Sequence, residues 1–568
     1  MMSKTKLELT WIGKNERKKL EPRILLEDPS KSYHASQKVT ENDIFDNKLI
    51  FGDNLLALKA LEQEYAGKVK CVYIDPPFNT GSAFEHYDDG LEHSIWLGLM
   101  RDRLEIIRNL LSDDGVIFVH LDDCEMAYLK VLMDEIFGRA NQLNTISMTT
   151  NDPSGFKATG ATVFSTVNFL LVYAKDRTQK PLNKIYIPKG YDTGYNKYLL
   201  NPDDHYKSWT WCGIADAFAK ANGYKDTKEA KKKLPDTFDD ELAQFAIDNA
   251  ERVFQSVAIG GGAKIKRKET IEKSKKDRDK VYVHPNEDVE GFYIANGRQM
   301  VFYSNRLLEI DGEMQPAELI TDVWTDISWN GIANEGGVSF KNGKKPEALL
   351  KRIFEMCTRE GDLVFDSFGG SGTTAAVAHK MKRRWISVEL GDHCHTHNIP
   401  RLQKVIDGED QGGISKSVNW QGGGGFRYYK LAPTLIVKDK FGLEVINKEY
   451  NPEMLAEAVC KLEGFTYAPS EVNWWDHGYS TETDHIYVTT QSLSVDKLEA
   501  LSEEVGSDRT LLVMCGAFRC EPGRFTNLTL KKLPKAILDK CQFGQDDYSL
   551  NVANLTDDAS ADDDAAQD

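Results

Sequence analysis

The sequence predicts an α/β fold: a parallel sheet wrapped by helices on both faces, interrupted midway by an insert and followed by a small α/β domain. Three observations predict it. Apolar strand-like runs alternate with amphipathic helical runs up to about residue 180, the alternation lapses over 181–334, and it resumes at about 346. Alternation of this kind builds a sheet whose crossover helices cover both faces. At 568 residues the chain is also too long for a single core.

In order along the chain, residues 1–45 read as an extension. LIFGDNLLAL (49–58) reads as strand, turn and helix start, and VKCVYI (69–74) as a buried strand ending at Asp75. A helical pattern covers 93–111, GVIFVHLDD is a second strand with acids at its carboxyl end, MAYLKVLMDEIF is an amphipathic helix, and FLLVYAKD (169–176) is a further strand. The insert, 181–334, is rich in Tyr, Trp and Gly turns and has no βα repeat. The second α/β half, 335–430, contains a helix at 346–360, a strand at 363–366, a helix at 373–382 and a strand at 385–389, and it closes on a Gly-rich linker or hairpin at 411–425. Residues 431–555 read as a separate domain. The tail 556–568, with six acids and no base, reads as disordered.

Composition bounds the function. Hydrophobic residues make up 41% and charged residues 28%, and no run approaches the ~18 apolar residues of a membrane span. The N-terminus is charged throughout and lacks the apolar core of a secretion signal. Nine scattered cysteines without a CxxC pair point to reduced thiols in a cytoplasm. A net charge of −17 argues against nucleic acid as a partner, but it averages over two basic patches. Residues 263–280 hold nine Lys/Arg against four Asp/Glu, and 225–233 hold five against two. Both patches also fit solvated helix faces.

Two motifs carry the chemistry. In VYIDPPFNTG (72–81), a buried strand runs into Asp75, Pro76, Pro77 and Phe78. One proline suffices to end a strand; the second proline and the ring need another reason. In VFDSFGGSGTT (364–374), Asp366 closes a strand, and Phe368, Gly369, Gly370, Ser371, Gly372 and Thr373 form a turn into a helix. Such a turn lets backbone N–H groups approach a ligand, though a plain tight βα turn has the same composition. It matches neither a P-loop nor GxGxxG. Glu389 ends the following strand, where an acid can accept both hydroxyls of a ribose. Both motifs lie at the carboxyl ends of strands, the edge at which such sheets bind ligands.

Together, DPPF and the later FGGSGTT resemble the amino-methylating DNA methyltransferases. With the catalytic motif first and the cofactor loop last, the chain is similar to their β group, and within it to the modification subunits of type III restriction–modification systems. LIFGDNLLALKAL, FKNGKKPEALL and DSFGGSGTT fit as well, over about 46–180 and 335–430. The resemblance implies a Rossmann-like S-adenosylmethionine-dependent sheet, with 46–180 as its catalytic half, 335–430 as its cofactor half and 181–334 as a target-recognition insert. It implies double-stranded DNA as substrate, a homodimer and a helicase–endonuclease partner subunit. It also implies that Asp53 contacts the cofactor's adenine end, and that Lys345 and Pro346 begin a helix beside its methionine moiety. An Asx cap and an ordinary proline helix start explain those three residues equally well. Phe stands at 78 where the family more often has Tyr, and Gly369-Gly370 is doubled where a bulkier residue is expected. Asp at the first motif position implies adenine N6, because cytosine-N4 enzymes usually carry Ser there.

The chemistry accounts for the motif. The adenine amine is a weak nucleophile because its lone pair is delocalised into the ring. Acceptors on its two N–H groups, the Asp75 carboxylate and the Pro76 carbonyl, free that pair. The prolines fix φ, so the carbonyl is aimed beforehand, and Phe78 offers a stacking face to a base taken out of the duplex. Lys264, Lys266, Arg267 and Lys268 are the expected phosphate contacts. No metal site is expected: His393, Cys394, His395 and His397 lack a second ligand pair. The rival readings are an adenine methyltransferase without a nuclease partner and an idle DNA-binding subunit that retains the fold.

Overall fold

The computed structural model describes residues 8–78, 93–150, 163–310, 313–340, 343–521 and 523–548. The acidic tail 556–568 and motif residues 79–81 lie outside them. Among the described residues there are two compact units, one combining those up to Asn183 with those from Asp322 onward, the other Lys184–Thr321.

The first unit is built on an 11-stranded sheet. Its elements before the insert are β1 (Leu25–Glu27), β2 (Tyr33–His34), β3 (Asn47–Phe51), α1 (Asn54–Tyr65), β4 (Val69–Ile74), α2 (His93–Leu110), β5 (Leu111–Leu121), α3 (Asp123–Met133), β6 (Gln142–Thr149) and β7 (Val167–Ala174). After the insert come β8 (Val323–Trp324), α4 (Glu347–Cys357), β9 (Leu363–Asp366), α5 (Thr373–Lys380), β10 (Arg384–Glu389), α6 (Ile399–Ile406) and β11 (Gly425–Leu431). The strand order is β1-β11-β3-β10-β9-β4-β5-β7-β6-β8, with β2 also on β11. The six strands from β11 to β5 are mutually parallel. The sheet is mixed rather than all-parallel, because β7 runs antiparallel to both β5 and β6, and β1 antiparallel to β11.

The central strands are buried along their length, which is why they read as continuous apolar runs. Leu55, Leu58, Leu61, Leu97, Met100, Leu104 and Leu132 from α1, α2 and α3 complete the core against them. A one-residue slip of β4 would turn its packed side chains to the wrong face, so Asp75 is held in register by the burial of the strand behind it. Residues 431 onward contribute a sheet of their own, ordered Thr466–Tyr467, Gly478–Tyr479, Asp484–Val488, Thr510–Cys515, Leu528–Lys532, with helices Pro452–Glu463 and Val495–Val505. The second unit holds six- and three-stranded sheets and five helices among its described residues. No helix among the described residues is long and apolar enough to cross a membrane, and all nine cysteines are free.

Candidate active site

Register brings the motifs to one edge. Ile74 pairs with Val119, which sets Asp75 level with His120 on β5. On the other side of β4, Phe365 pairs with Val72, and Asp366 pairs with Ser387 of β10. Glu389 pairs with Phe51, so Asp75, Asp366, Glu389 and Asp53 all emerge at the carboxyl ends of neighbouring parallel strands.

Asp75 is ion-paired with Lys345. The Lys345 ammonium also donates to the Gly343 carbonyl at 3.1 Å and stands 5.2 Å from the centre of the Phe78 ring. Lys345 thus contacts the carboxylate of the first motif, and Pro346 is the residue preceding α4. Pro76 is buried, and the Pro77 carbonyl accepts the Trp96 indole N–H at 2.8 Å, so the corner is pinned from α2 as well as by its own rings.

The Phe78 ring lies 5.7 Å from His120, a residue with no exposed surface. His120 Nδ1 is 2.9 Å from the Tyr73 hydroxyl and Nε2 is 3.2 Å from the Asn168 amide nitrogen. With Asn168 donating to Nε2, Nδ1–H donates to Tyr73. Burial, reinforced by the Lys345 cation, holds the His120 pKa well below the usual imidazole value, so the ring is neutral. Trp329 stands edge-on to His120 at 6.0 Å. Neither ring was singled out from the sequence, because only the register brings them to Phe78.

The glycine turn is shaped by close approach. A Cβ on Gly369 would fall 2.6 Å from Ser387 Oγ and 3.1 Å from the Val388 carbonyl, so the doubled glycine lets the loop lie against β10. Gly372 has φ +76°, and a Cβ there would meet Asn398 Oδ1 at 2.6 Å. Phe368 N–H donates to Asp366 at 2.9 Å, and Asn398 donates to the Gly370 carbonyl at 2.7 Å. Glu389 accepts Gly370 N–H at 2.7 Å, Gly391 N–H at 2.8 Å, and lies 2.9 Å from His393 Nε2. Its carboxylate thus braces the loop, using part of its four-fold acceptor capacity. Burial pushes the Asp366 carboxyl up to about 7, with the charges of Asp75 and Glu389 adding to it, against the hydrogen bonds from Thr374 and Phe368 N–H. Asp75 and Glu389 stand close enough to raise Asp366, and this acidic edge suits a cationic ligand. The buried hydroxyls of Ser367 and Ser387 have no hydrogen-bond partner among the described residues, which suits a polar one.

Behind the loop is a buried ionic cluster. Glu347 accepts from Lys380 at 2.8 and 3.0 Å and from Arg401 at 2.8 Å; Lys380 also pairs with Asp410 at 2.7 Å. Arg401 reaches forward to Thr373 Oγ1 at 2.8 Å and the Ser371 carbonyl at 3.3 Å.

Asp53 is the N-cap of α1. Its Oδ1 accepts Leu56 N–H at 3.0 Å, and its Oδ2 accepts Tyr548 N–H at 2.9 Å and stands 3.6 Å from Arg103. The side chain has no exposed surface, and Asp53 supports this edge as a cap. Asp122 likewise caps α3, accepting Cys124 N–H at 3.0 Å. His395 meets the Tyr428 hydroxyl and His397 the Ser339 carbonyl.

In the second unit, Lys264, Lys266 and Lys268 are exposed on the short helices Gly261–Lys266 and Lys268–Lys276. Lys266 pairs with Asp288. Arg267 departs from the expectation of a phosphate contact. It is buried, bound by Glu287 and stacked 3.9 Å over the Phe292 ring, so it anchors the helix inside the unit.

With its carboxyl edge assembled in this way, the sheet is that of the S-adenosylmethionine-dependent methyltransferases. The chain belongs to the N6/N4 DNA methylase family, whose profile matches residues 69–398. It is similar to the probable type III restriction-modification enzyme HindVI Mod subunit of Haemophilus influenzae, with 40% identity over 410 residues, 68% of this chain and 54% of that protein. The EcoPI Mod subunit of Escherichia phage P1 is 28% identical over 440 residues, 66% of this chain and 62% of that one. The EcoP15I Mod subunit of Escherichia coli is 25% identical over 598 residues, 89% and 86% respectively. The chain spans about half the length of the first of these relatives.

Proposed function

We propose that the chain transfers a methyl group from S-adenosylmethionine to N6 of an adenine flipped out of double-stranded DNA, as the modification subunit of a type III restriction–modification system. The observation that carries this reading is Asp75-Pro76-Pro77-Phe78 at the end of β4, on the strand beside β9 and its glycine turn. The relatives' designation as Mod subunits supports a helicase–endonuclease partner, and the family resemblance supports a homodimer.

S-adenosylmethionine, when bound, supplies an electrophilic methyl on a sulfonium. The glycine turn 369–372, Asp366 and Glu389 are the residues to hold it, and their negative charge suits its cation. Asp75 and the Pro76 carbonyl would accept the two N6–H bonds of adenine and leave the nitrogen lone pair free to attack. As the N–C bond forms the C–S bond breaks to leave a neutral thioether, and one N6 proton leaves by way of the Asp75 carboxylate to solvent. Asp75 first exchanges the Lys345 ammonium for the amine. Phe78, backed by the neutral His120, stacks on the base, and holding the two reactants in line is the main contribution to rate. Methyl incorporation from labelled S-adenosylmethionine into DNA, with the modified base and motif identified by single-molecule sequencing, tests the reading directly.

Glu389→Ala is expected to weaken S-adenosylmethionine binding about tenfold to a hundredfold, the range for loss of a charged hydrogen-bond acceptor. The loop loses its brace in the same step. Calorimetry showing wild-type affinity would move the cofactor elsewhere.

The insert carries the DNA-binding surface in this reading. Neutralising Lys264, Lys266 and Lys268 together is expected to weaken binding about equally across sequences. It should also flatten the slope of log K against log salt by about 0.9 for each phosphate that no longer meets a lysine. Lys266, already paired with Asp288, contributes least. The methylated motif should not change, because phosphate contacts carry no base information. A wild-type slope would return these lysines to the status of a solvated face.

A further inference from the structure

Trp329 carries a donor that nothing among the described residues answers. Its indole Nε1 is buried and has no hydrogen-bond partner among the described residues. Other indoles of this unit are satisfied: Trp96 donates to the Pro77 carbonyl at 2.8 Å, Trp385 to His379 Nδ1 at 3.2 Å, and Trp420 to the Val405 carbonyl at 2.7 Å. An unpaired buried N–H is costly, and such groups are rare in folded proteins. The exception lies beside the wall of the base site, where Trp329 stands edge-on to His120 and His120 lies against Phe78.

The neighbouring side chains cannot supply the acceptor. Phe78 has none. His120 is neutral, and its two nitrogens are engaged with Tyr73 and Asn168. An indole N–H only donates, so whatever completes it must bring an acceptor. Adenine has acceptors of that kind on both sides of its amine, the unprotonated ring nitrogens N1 and N7. Guanine shares the bare N7 but offers an oxygen in place of the amine and a protonated N1. A donor beside the Asp75 corner therefore adds discrimination against guanine where it meets N1, and a further anchor for the purine where it meets N7.

We infer that Trp329 is a specificity-determining residue of the base site, donating from Nε1 to N1 or N7 of the flipped adenine. The inference rests on the adenine-methylating reading above and adds to it a second point of base recognition.

The test uses the full chain and duplexes carrying its own methylation motif with adenine, 1-deazaadenine or 7-deazaadenine at the methylated position. In single-turnover measurements the wild type is expected to lose tenfold or more on one of the two analogues. Trp329→Phe, which keeps a ring but removes the donor, is expected to lose a similar factor on adenine and to treat adenine and that analogue within about threefold of each other. Unchanged S-adenosylmethionine affinity and circular dichroism would show that the variant is folded. A wild type that methylates adenine yet ignores both deaza changes overturns the assignment, and this arm needs no variant. So does a Trp329→Phe protein that keeps the wild-type discrimination. A wild type that fails to methylate adenine at all overturns instead the reading beneath it.

Discussion

Asp75→Ala is expected to lower methyl transfer by about 10³-fold, the upper range for deleting one preorganised polar group from a reaction centre. S-adenosylmethionine affinity should stay near wild type, since the groups proposed to hold it sit on or beside β9 and β10. The substitution also strips Lys345 of its counter-ion, leaving a nearly buried ammonium. Asp75→Asn is therefore the informative companion, because it keeps volume and one acceptor while removing the charge. Both variants should be nearly inactive, with Asp75→Asn melting closer to wild type. Substantial turnover by either would remove Asp75 from the reaction. Asp75→Ser should be nearly as inactive, because the pocket stays shaped for a purine.

The second large effect is on stability. Glu347→Ala is expected to destabilise the first unit by about 3–5 kcal/mol, the scale for breaking a buried ion pair from one side. Lys380 and Arg401 are both wholly buried and both lean on Glu347. Arg401 is also the residue that holds Thr373 and Ser371, so the lost brace should reach the glycine turn and lower cofactor affinity as well. Thermal unfolding and calorimetry on the same variant read the two effects. If both stayed at wild-type values, the cluster would be dispensable. Replacing the whole set by apolar residues is a different experiment, and such replacements are often neutral.

How much of this was legible in the sequence follows from physical range. The strand into Asp75, the glycine turn and the strand into Glu389 are local patterns, and 363–366 is a strand in the structure as read. The antiparallel pairing of β6 with β7 and the addition of β1 and β2 to the sheet were not legible. Their partners lie on other strands, β1 and β2 are three and two residues long, and nothing in LLE or YH announces a strand. β11 begins on the last of four glycines that read as a linker or hairpin, and runs on through FRYYKL. In the site, Asp75 and Phe78 announce themselves, whereas Lys345, His120 and Trp329 become neighbours only through register. Glu347, Lys380 and Arg401 resemble solvated helix charges until packing removes the water around them.

The strand order has a consequence for the making of the protein. β4, which bears the Asp-Pro-Pro-Phe corner, is flanked by β5 and β9, and β3 by β10 and β11. Emerging from the ribosome, β4 gains β5 at once, but its other neighbour begins at residue 363, after the whole insert has been synthesised. β3 waits longer, for residues 384–389 and then 425–431. Through that interval two apolar strands present open hydrogen-bonding edges, the condition under which nascent chains pair with the wrong partner. The insert Lys184–Thr321, whose described strands pair only among themselves, can fold during the wait. The sheet around β4 is thus closed only after the insert, although its Asp-Pro-Pro-Phe corner is translated before it, and a message truncated within the insert would yield that corner without the strands that aim it.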